Sequence, residues 1–226
     1  MARLFILVEG ETEETFVNEL LADHLCARGF LNVSAKLMGN ARLRSKRGGV
    51  KSWPSVRTEI VRHLRSDPEV FVSTMVDYYG MPSDGDRGWP GRRRAASLPF
   101  AERAISIERE LIVNIGDEIG DARRFIPFVV MHEFEAYLFS DCGRMATAIG
   151  QDNLGASFQA IRDSFGTPEE INDSPSTHPS RRILAIFPGY EKPLFGNLAA
   201  LEIGLERIRA ECPHFRAWLE RLEGLL

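Results

Sequence analysis

Three apolar runs in this chain each lead directly into acidic residues. The runs are residues 4–8, 70–76 and 125–131, and the acids that follow them are Glu9, Asp77, Glu133 and Glu135. Short apolar runs that end at turn residues are typical of buried strands, and parallel strands end at the same edge of a sheet. The acids would therefore converge at one edge. Carboxylates in that position repel one another unless they are protonated or bind a divalent cation.

The segments between these runs have the residue spacing of helices. Thr12 is the predicted N-cap of the first helix, in which apolar residues recur at helical spacing up to Gly29. Two further helices are predicted at residues 56–64 and 100–118, and a further strand at residues 31–38. This β-α-β-α-β-α-β order predicts an α/β fold with a mainly parallel sheet and helices on both faces, because parallel neighbours need crossover connections.

The pattern changes beyond Phe139. Helical spacing continues, with proline-bearing turns and without a convincing strand, at residues 156–165, 180–187, 194–210 and 215–225. We predict two domains, an α/β domain at residues 1–140 and a helical C-terminal subdomain at residues 141–226 that packs on it. The proline- and glycine-rich segment 78–99 is predicted to be a long binding loop, since loops of that length in compact domains are usually functional.

Positive charge is concentrated in two segments, a first basic segment at residues 42–51 and a second at residues 87–94. The formal net charge of −4 nevertheless argues against a protein that coats nucleic acid by charge alone. Both segments follow predicted strands, so both would lie at the edge that carries the acids. We predict that their basic side chains position a nucleic-acid backbone, namely Arg42, Arg44, Lys46, Arg47, Arg92, Arg93 and Arg94. Solvated surface charge is the alternative for each of them. Trp53 and Trp89 flank these segments and would either stack on bases or anchor the loops.

The cysteines and the apolar segments indicate the compartment. Three cysteines without metal-finger or CxxC spacing suggest neither a disulfide framework nor a zinc site. The first apolar run is too short for a signal sequence, and no stretch approaches membrane-spanning length. We expect a cytoplasmic protein that does not insert into membranes. The sequence also lacks a GxxxxGK[ST] or GxGxxG nucleotide-binding motif and a G-x-S-x-G elbow.

Position distinguishes the acids near the N-terminus from one another. Glu9 comes before the predicted helix and is followed by Gly10, which lets the backbone turn sharply, so we interpret Glu9 as functional. Glu11, Glu13 and Glu14 have an ordinary explanation, because acids in the first turn of a helix are stabilised by its dipole by about 0.3–1 kcal/mol each.

The acids of the later segments are open to two interpretations. On a helix, Glu133 and Glu135 would point about 200° apart, so only one of them would face the site readily. The neighbouring His132 is expected to be a structural histidine rather than a ligand. Asp77 would either belong to the site or form a turn after its strand.

The segment Val8-Glu9-Gly10-Glu11-Thr12-Glu13 resembles the first motif of TOPRIM domains, in the VEGxTE form of OLD-family nucleases and RloB-like proteins. Asp77 stands where that family has a DxD at a strand end, and Phe134-Glu135-Ala136-Tyr137-Leu138 is similar to the FExWL segment of RloB-like members. The TOPRIM resemblance covers residues 1–140. Two C-terminal segments, at residues 179–182 and 190–194, are similar to an uncharacterised bacterial family of TOPRIM-like proteins.

The resemblance implies Mg²⁺- or Mn²⁺-dependent chemistry on phosphodiesters. Asp77 and Glu135 would bind the ion. Glu9 would be a further ligand or would handle the proton of the attacking water, and Glu13 would act indirectly or on a second ion. Lys192 would stabilise the leaving group, or is an ordinary surface lysine.

One position departs from the family's pattern. Tyr79 stands where the second Asp of the DxD is expected. Another acid would have to replace that ligand, from the set Asp84, Asp86, Glu133 and Glu135.

The leading prediction is a TOPRIM-type nuclease, in phage defence or DNA repair, with nucleic acid as its partner. OLD-type nucleases carry an ATPase in the same chain and this sequence does not, so a separate ATPase partner is also predicted. The alternative is a non-catalytic TOPRIM-like scaffold that binds nucleic acid or a protein, which Tyr79 favours. Nucleotidyl transfer, as in primases, is a third hypothesis. The sequence leaves the oligomeric state open.

Overall fold

The computed structural model describes residues 2–39, 51–172, 174 and 176–226. Four of the predicted nucleic-acid-binding residues lie outside the described residues, namely Arg42, Arg44, Lys46 and Arg47.

The centre of the fold is a parallel sheet. Its strands are β1 (Arg3–Val8), β2 (Asn32–Leu37), β3 (Val70–Asp77), β4 (Phe125–Ile126) and β5 (Val129–Val130). The order is β2-β1-β3-β4, and β5 pairs with the carboxyl end of β3. Every strand pairing among the described residues is parallel, which confirms the predicted sheet. The third apolar run forms two short strands instead of one because Pro127, which has no backbone N–H, interrupts the ladder.

Helices account for most of the remaining described chain. They are α1 (Glu11–Phe16), α2 (Ala22–Cys26), α3 (Trp53–Ser66), α4 (Arg92–Ala95), α5 (Phe100–Ile119), α6 (Cys142–Ala148), α7 (Gly155–Arg162), α8 (Pro179–Ile186), α9 (Lys192–Ile203), α10 (Leu205–Glu211) and α11 (Pro213–Glu223). A π-helical segment, Val17–Leu21, joins α1 to α2, so the two run on as one helix. A 3₁₀ segment at Phe134–Ser140 follows the sheet.

The helix boundaries differ from the prediction in three places. Gly10, not Thr12, precedes the first helix, and Thr12 is buried within its first turn. The helix predicted at residues 194–210 is two helices, because Gly204 has a φ of +80° that ends α9. The segment predicted as a long loop contains α4, whose three arginines follow Gly91 in the left-handed conformation.

The two faces of the sheet are both covered. Alternate residues of β1 point to opposite faces: Ile6 packs with α1, α2 and the C-terminal helices, whereas Leu7 packs with α3 and α5. Helices on both faces are therefore confirmed. The C-terminal helices share one continuous apolar core with the sheet, and the division into domains at residue 140 stays a prediction. No helix in the described part of the chain is long and apolar enough to span a membrane.

Helix α11 is attached to the sheet through Trp218. Its ring stacks on Phe128 with centroids 4.4 Å apart, and its Nε1 donates a hydrogen bond to Ser73 Oγ at 3.0 Å. One turn earlier, His214 Nε2 lies 2.9 Å from the carboxylate of Glu108 on α5. The last helix is thus fixed by both apolar and polar contacts, and it belongs to the same packed unit as the sheet.

We expect Trp218→Ala to lower the free energy of unfolding by about 3–5 kcal/mol, because it leaves a large cavity beneath α11. Urea unfolding followed by circular dichroism measures this. The control is Leu226→Ala, whose side chain is 56% exposed and should change stability by less than about 0.5 kcal/mol. A loss below about 1 kcal/mol for Trp218→Ala would show that α11 is not part of the cooperative unit.

Candidate active site

Five acidic side chains gather at the carboxyl edge of the sheet. Their positions are the residue after β1, the first turn of α1, the end of β3 and the segment after β5. We call them the carboxylate cluster: Glu9, Glu13, Asp77, Glu133 and Glu135. The charge of a single lysine, Lys192, acts on all five. The structure therefore brings together all the predicted catalytic and metal-binding residues.

Local backbone geometry holds the acids in place. A Cβ added at Gly10 would lie 3.1 Å from Glu13 Oε2, so glycine leaves room for that carboxylate to fold back towards Glu9. The Oδ1 atom of Asp77 accepts a hydrogen bond from the backbone N–H of Phe134 at 3.1 Å. This bond fixes the end of β3 to the segment that carries Glu135.

Lys192 is the first residue of α9 and reaches the cluster from the C-terminal part of the chain. Its Nζ lies 3.0 Å from Glu135 Oε2 and 3.5 Å from Glu133 Oε1, while 44% of its side chain stays exposed. Helix α9 can come this close to α1 because it has Gly196 at the contact, where a Cβ would lie 3.3 Å from Thr12 Cγ2. The lysine is therefore placed by tertiary packing.

The carboxyl groups of the cluster differ in the direction in which their pKa values are shifted. It raises the pKa of Glu9, Glu13 and Glu135 to about 7, and neighbouring carboxylates add to the effect. The pKa of Asp77 is raised well above its usual value by the same causes. Burial also acts on Glu133, but Lys192, the Ser180 backbone N–H and His178 outweigh it, so the pKa of Glu133 lies below its usual value.

Burial and neighbouring charges shift the pKa of Lys192 in opposite directions. Burial by itself would lower the pKa of Lys192, but Glu135, Glu133 and Asp77 outweigh burial and raise it. Lys192 therefore stays charged, and its ammonium group pairs with both Glu135 and the ionised Glu133. The carboxyl groups of the cluster carry more potential negative charge than this one lysine can balance.

Two residues of the site, His178 and Ser180, were not predicted from the sequence. Glu133 Oε2 lies 3.0 Å from His178 Nδ1 and accepts a hydrogen bond from the Ser180 backbone N–H, also at 3.0 Å. The His178 ring in turn stacks on Tyr79, with centroids 4.7 Å apart. The only sequence signal was the C-terminal segment 179–182, which carried no chemistry of its own.

The prediction that only one of Glu133 and Glu135 would face the site is wrong. Glu133 has extended backbone angles, φ −144° and ψ 156°, and Glu135 lies in the 3₁₀ segment that follows. The 200° offset of an α-helix therefore does not apply, and both carboxylates contact Lys192. Of the other possible replacement acids, Asp84 bonds instead to Ser83.

His132 is packed as a structural residue, as expected. It is buried, with its ring 5.6 Å from that of Tyr78 and 5.7 Å from that of Phe100. Glu13 keeps the backbone interaction expected of an acid in the first turn of a helix, since hydrogen bonds from the backbone at Gly10 and Glu13 act to lower its pKa. It is also buried, and the charge of Glu9 acts to raise its pKa.

The second basic segment contains one structural arginine and two exposed ones. The guanidinium of Arg92 lies 3.8 Å from the Tyr78 ring centroid, and its Nε donates to the Tyr78 carbonyl oxygen. The side chain of Arg93 is 85% exposed and that of Arg94 is 67% exposed. Arg92 thus supports the backbone beside Asp77. Arg93 and Arg94 are largely exposed, and they pair with Asp84 at 3.5 Å and with Glu110 at 3.2 Å.

The two tryptophans anchor this region and do not offer faces to bases. Trp53 and Trp89 are buried, with ring centroids 5.1 Å apart. Trp53 Nε1 donates to Asn114 Oδ1 at 2.7 Å, and Trp89 Nε1 donates to the Lys51 carbonyl oxygen at 2.9 Å. The base-stacking interpretation of these tryptophans is wrong, and the anchoring interpretation is confirmed.

The chemistry of the cluster suits a hard divalent cation. All its donors are carboxylate oxygens, which Mg²⁺ prefers, and Glu9 Oε2 is buried without a hydrogen-bond partner in the described part of the chain. In this conformation, however, no three His, Cys, Asp or Glu side chains of the described residues form a metal-binding group.

The comparisons with known proteins show the family. The sequence matches the family described as a domain of unknown function (DUF4276) over residues 8–223, and the chain belongs to it. This confirms the predicted membership of an uncharacterised family. No curated protein matches the chain.

The solved structures give a more distant similarity. Two structures of the C-terminal region of the Xanthomonas campestris pv. campestris OLD protein, phased with iodine and with mercury, are 16% and 17% identical to this chain. Each has a TM-score of 0.45, with 99% of this chain and 95% of the other covered. The TOPRIM assignment stays a prediction.

We expect the metal-free protein to lose stability as the pH rises from about 5 to 8. The folded-state pKa values of Glu9, Glu13 and Glu135, about 7, exceed the usual value of 4.5, so the folded protein binds more protons in this range. Stability is then highest below about pH 4.5 for these groups, and it falls until they ionise above about pH 7. The loss is on the order of 1–3 kcal/mol per group.

Urea unfolding in EDTA across this pH range measures the slope. Glu13→Gln should make the slope shallower, because the amide does not titrate, while Glu9 and Glu135 still do. Glu14→Gln is the matched control, one residue away in the same helical turn, and it should keep the wild-type slope. A pH-independent wild type would contradict the raised pKa values.

Proposed function

We propose that this protein hydrolyses phosphodiester bonds of nucleic acid with the help of Mg²⁺ or Mn²⁺, as a nuclease of TOPRIM type. The observation that carries the proposal is the convergence of five carboxyl groups from three strand ends and a helix on one lysine. Buried acids with raised pKa values beside a specific charged partner are typical of functional sites. A purely structural role explains less well why five acids are brought together against their mutual repulsion.

Within the cluster, Asp77 and Glu135 would hold the ion. A bound ion would withdraw charge from the scissile phosphate and favour attack by water. Glu13 interacts electrostatically with Glu9 and with Asp77, so it would tune the pKa values of these groups or hold a second ion. The raised pKa values support this assignment, because an ion would replace the protons that otherwise keep the carboxyl groups neutral.

Glu9 and Lys192 would handle the proton and the leaving group. Glu9 has a pKa of about 7 and an unpartnered Oε2, so it is suited to accept a proton from the attacking water, or alternatively to act as a further ligand. Lys192 stays charged and is partly exposed, so its ammonium group would stabilise the charge that develops on the leaving oxygen.

The substrate backbone would be positioned by exposed arginines of the second basic segment. The side chains of Arg93 and Arg94 are largely exposed and could contact phosphates. Arg92 would contribute only indirectly, because its guanidinium packs on the Tyr78 ring. A separate ATPase partner and a role in phage defence or DNA repair stay predictions from the sequence resemblance.

The second candidate function is a non-catalytic scaffold that binds nucleic acid or a partner protein. One observation favours it: no three acids of the described residues already stand in a metal-binding arrangement. In a scaffold, Lys192 together with protons on the carboxyl groups of raised pKa would neutralise the cluster without an ion. The two functions differ in whether an ion competes with this lysine.

We expect the wild type to bind Mg²⁺ or Mn²⁺ in calorimetry and Asp77→Asn to lose that binding. The amide is nearly the same size as the carboxylate but is a weaker ligand for a hard cation. Glu14→Gln, which removes an acid outside the cluster, should bind like the wild type. If the wild type binds neither ion, with or without single-stranded or plasmid DNA present, the nuclease proposal fails.

Lys192→Met should lower kcat for cleavage by about 100-fold or more, because one charge that stabilises the transition state is lost. The same variant should bind Mg²⁺ at least as tightly as the wild type, since the competing cation is gone. Parallel cleavage assays and calorimetry give both values. Lys36→Met, which removes a lysine paired with Glu59, is the matched control. An unchanged kcat in Lys192→Met would make Lys192 a structural counter-ion.

A further inference from the structure

Tyr79 is the one aromatic residue among the large exposed apolar side chains of the described residues. It lies two residues beyond Asp77, at the point where β3 leaves the sheet, and 37% of its surface is exposed. The residue thus presents an aromatic ring beside the carboxylate cluster.

This ring is held in place from below. Its interplanar angle with His178 is 30° at 4.7 Å, and the backbone N–H of Tyr79 donates to the His132 carbonyl oxygen at 3.1 Å. His178 is itself fixed, because its Nδ1 lies 3.0 Å from Glu133 Oε2 and 3.1 Å from Ser180 Oγ. An exposed tyrosine on a fixed ring loses little side-chain freedom when a ligand stacks on it.

We propose that Tyr79 is a stacking platform for an unpaired nucleobase, and that the substrate of this site is therefore single-stranded nucleic acid. The inference rests on the proposed function for the location of the scissile phosphate, but the platform itself stands on the geometry of Tyr79, His178 and Glu133. Aromatic side chains bind single strands by stacking on base faces, which are buried against neighbouring bases in a duplex.

The charges around Tyr79 favour a nucleic-acid strand whose base, not its phosphate, contacts this part of the site. The carboxylate cluster repels phosphates when it is ionised, so a base contact next to Asp77 would offset that repulsion and set the register of the strand. The exposed Arg93 lies on the segment that follows Tyr79 and would hold the backbone at a neighbouring nucleotide. Stacking and phosphate contacts would then determine which bond lies over the cluster.

The test measures binding of the whole chain in EDTA, which stops cleavage. The probes are a fluorescein-labelled oligothymidylate of about 12 nucleotides, the duplex of that strand with its complement, and a single strand that carries 2-aminopurine. Tyr79→Leu should weaken binding of the single strand roughly 5- to 100-fold and leave duplex affinity within about twofold. Tyr79→Phe, which keeps the ring, should bind like the wild type. The quenching of 2-aminopurine fluorescence by the wild type should be lost in Tyr79→Leu.

Each result is decisive. The platform is overturned if wild type and Tyr79→Leu bind the single strand equally well. It is also overturned if Tyr79→Leu loses as much affinity for the duplex, or if the wild type binds none of the three probes. Val113→Ala, at a side chain that is 58% exposed on α5, should change nothing and controls for surface substitution. Cleavage in Mg²⁺ is scored separately. If binding depends on Tyr79 but no cleavage occurs, the stacking proposal holds and the nuclease proposal fails. If cleavage occurs but single-strand binding does not depend on Tyr79, the nuclease proposal holds and the stacking proposal fails.

Discussion

The ion pair between Lys192 and the carboxylates beside it is the interaction on which this structure depends. Taking a carboxylate out of water costs several kcal/mol unless a partner compensates for the loss of hydration. Lys192 is placed to compensate for Glu133 and Glu135, and it comes from α9, far along the chain from the sheet. The candidate site therefore depends on the packing of α9 on α1, because α9 carries the lysine that compensates for the buried carboxyl groups.

The single lysine also explains why the carboxyl groups differ. Glu133 receives Lys192, the Ser180 backbone N–H and the His178 ring, so it is ionised and committed to holding these groups. Lys192 also acts to lower the pKa values of the other acids, but burial outweighs it and keeps those pKa values high. The protein thus separates one carboxylate that organises the site from four whose charge depends on protons or on an ion.

The strand ends were readable from the sequence because strand and turn signals are local. Apolar runs that stop at Glu9 and Asp77 predict both the strands and the edge where the acids meet, and the parallel sheet confirms the arrangement. The backbone between Glu133 and Glu135 was not readable, since periodicity assumes an α-helix where the chain makes a 3₁₀ segment. The roles of these acids stay predictions.

Contacts over long sequence separations were the other limit. His178 reaches Glu133 across 45 residues, and Lys192 reaches Glu135 across 57. Neither contact has a signature in spacing or composition, because it follows from how α8 and α9 pack on the finished sheet. Lys192 was identified only through a resemblance in its segment, and His178 not at all. The tryptophans failed as stacking candidates for the same reason, since burial is decided by tertiary packing.

The identity of residue 79 ties these points together. An aspartate there, as in a DxD, would add a further carboxylate next to Asp77, in a cluster whose potential negative charge already exceeds what Lys192 can balance. Tyrosine adds no charge, and its ring is supported by the histidine that Glu133 holds. The tyrosine is therefore compatible with the proposed activity. It replaces a charged group at the rim of the site by an aromatic one, so the rim is suited to a base while the cluster behind it keeps the oxygen donors that an ion needs.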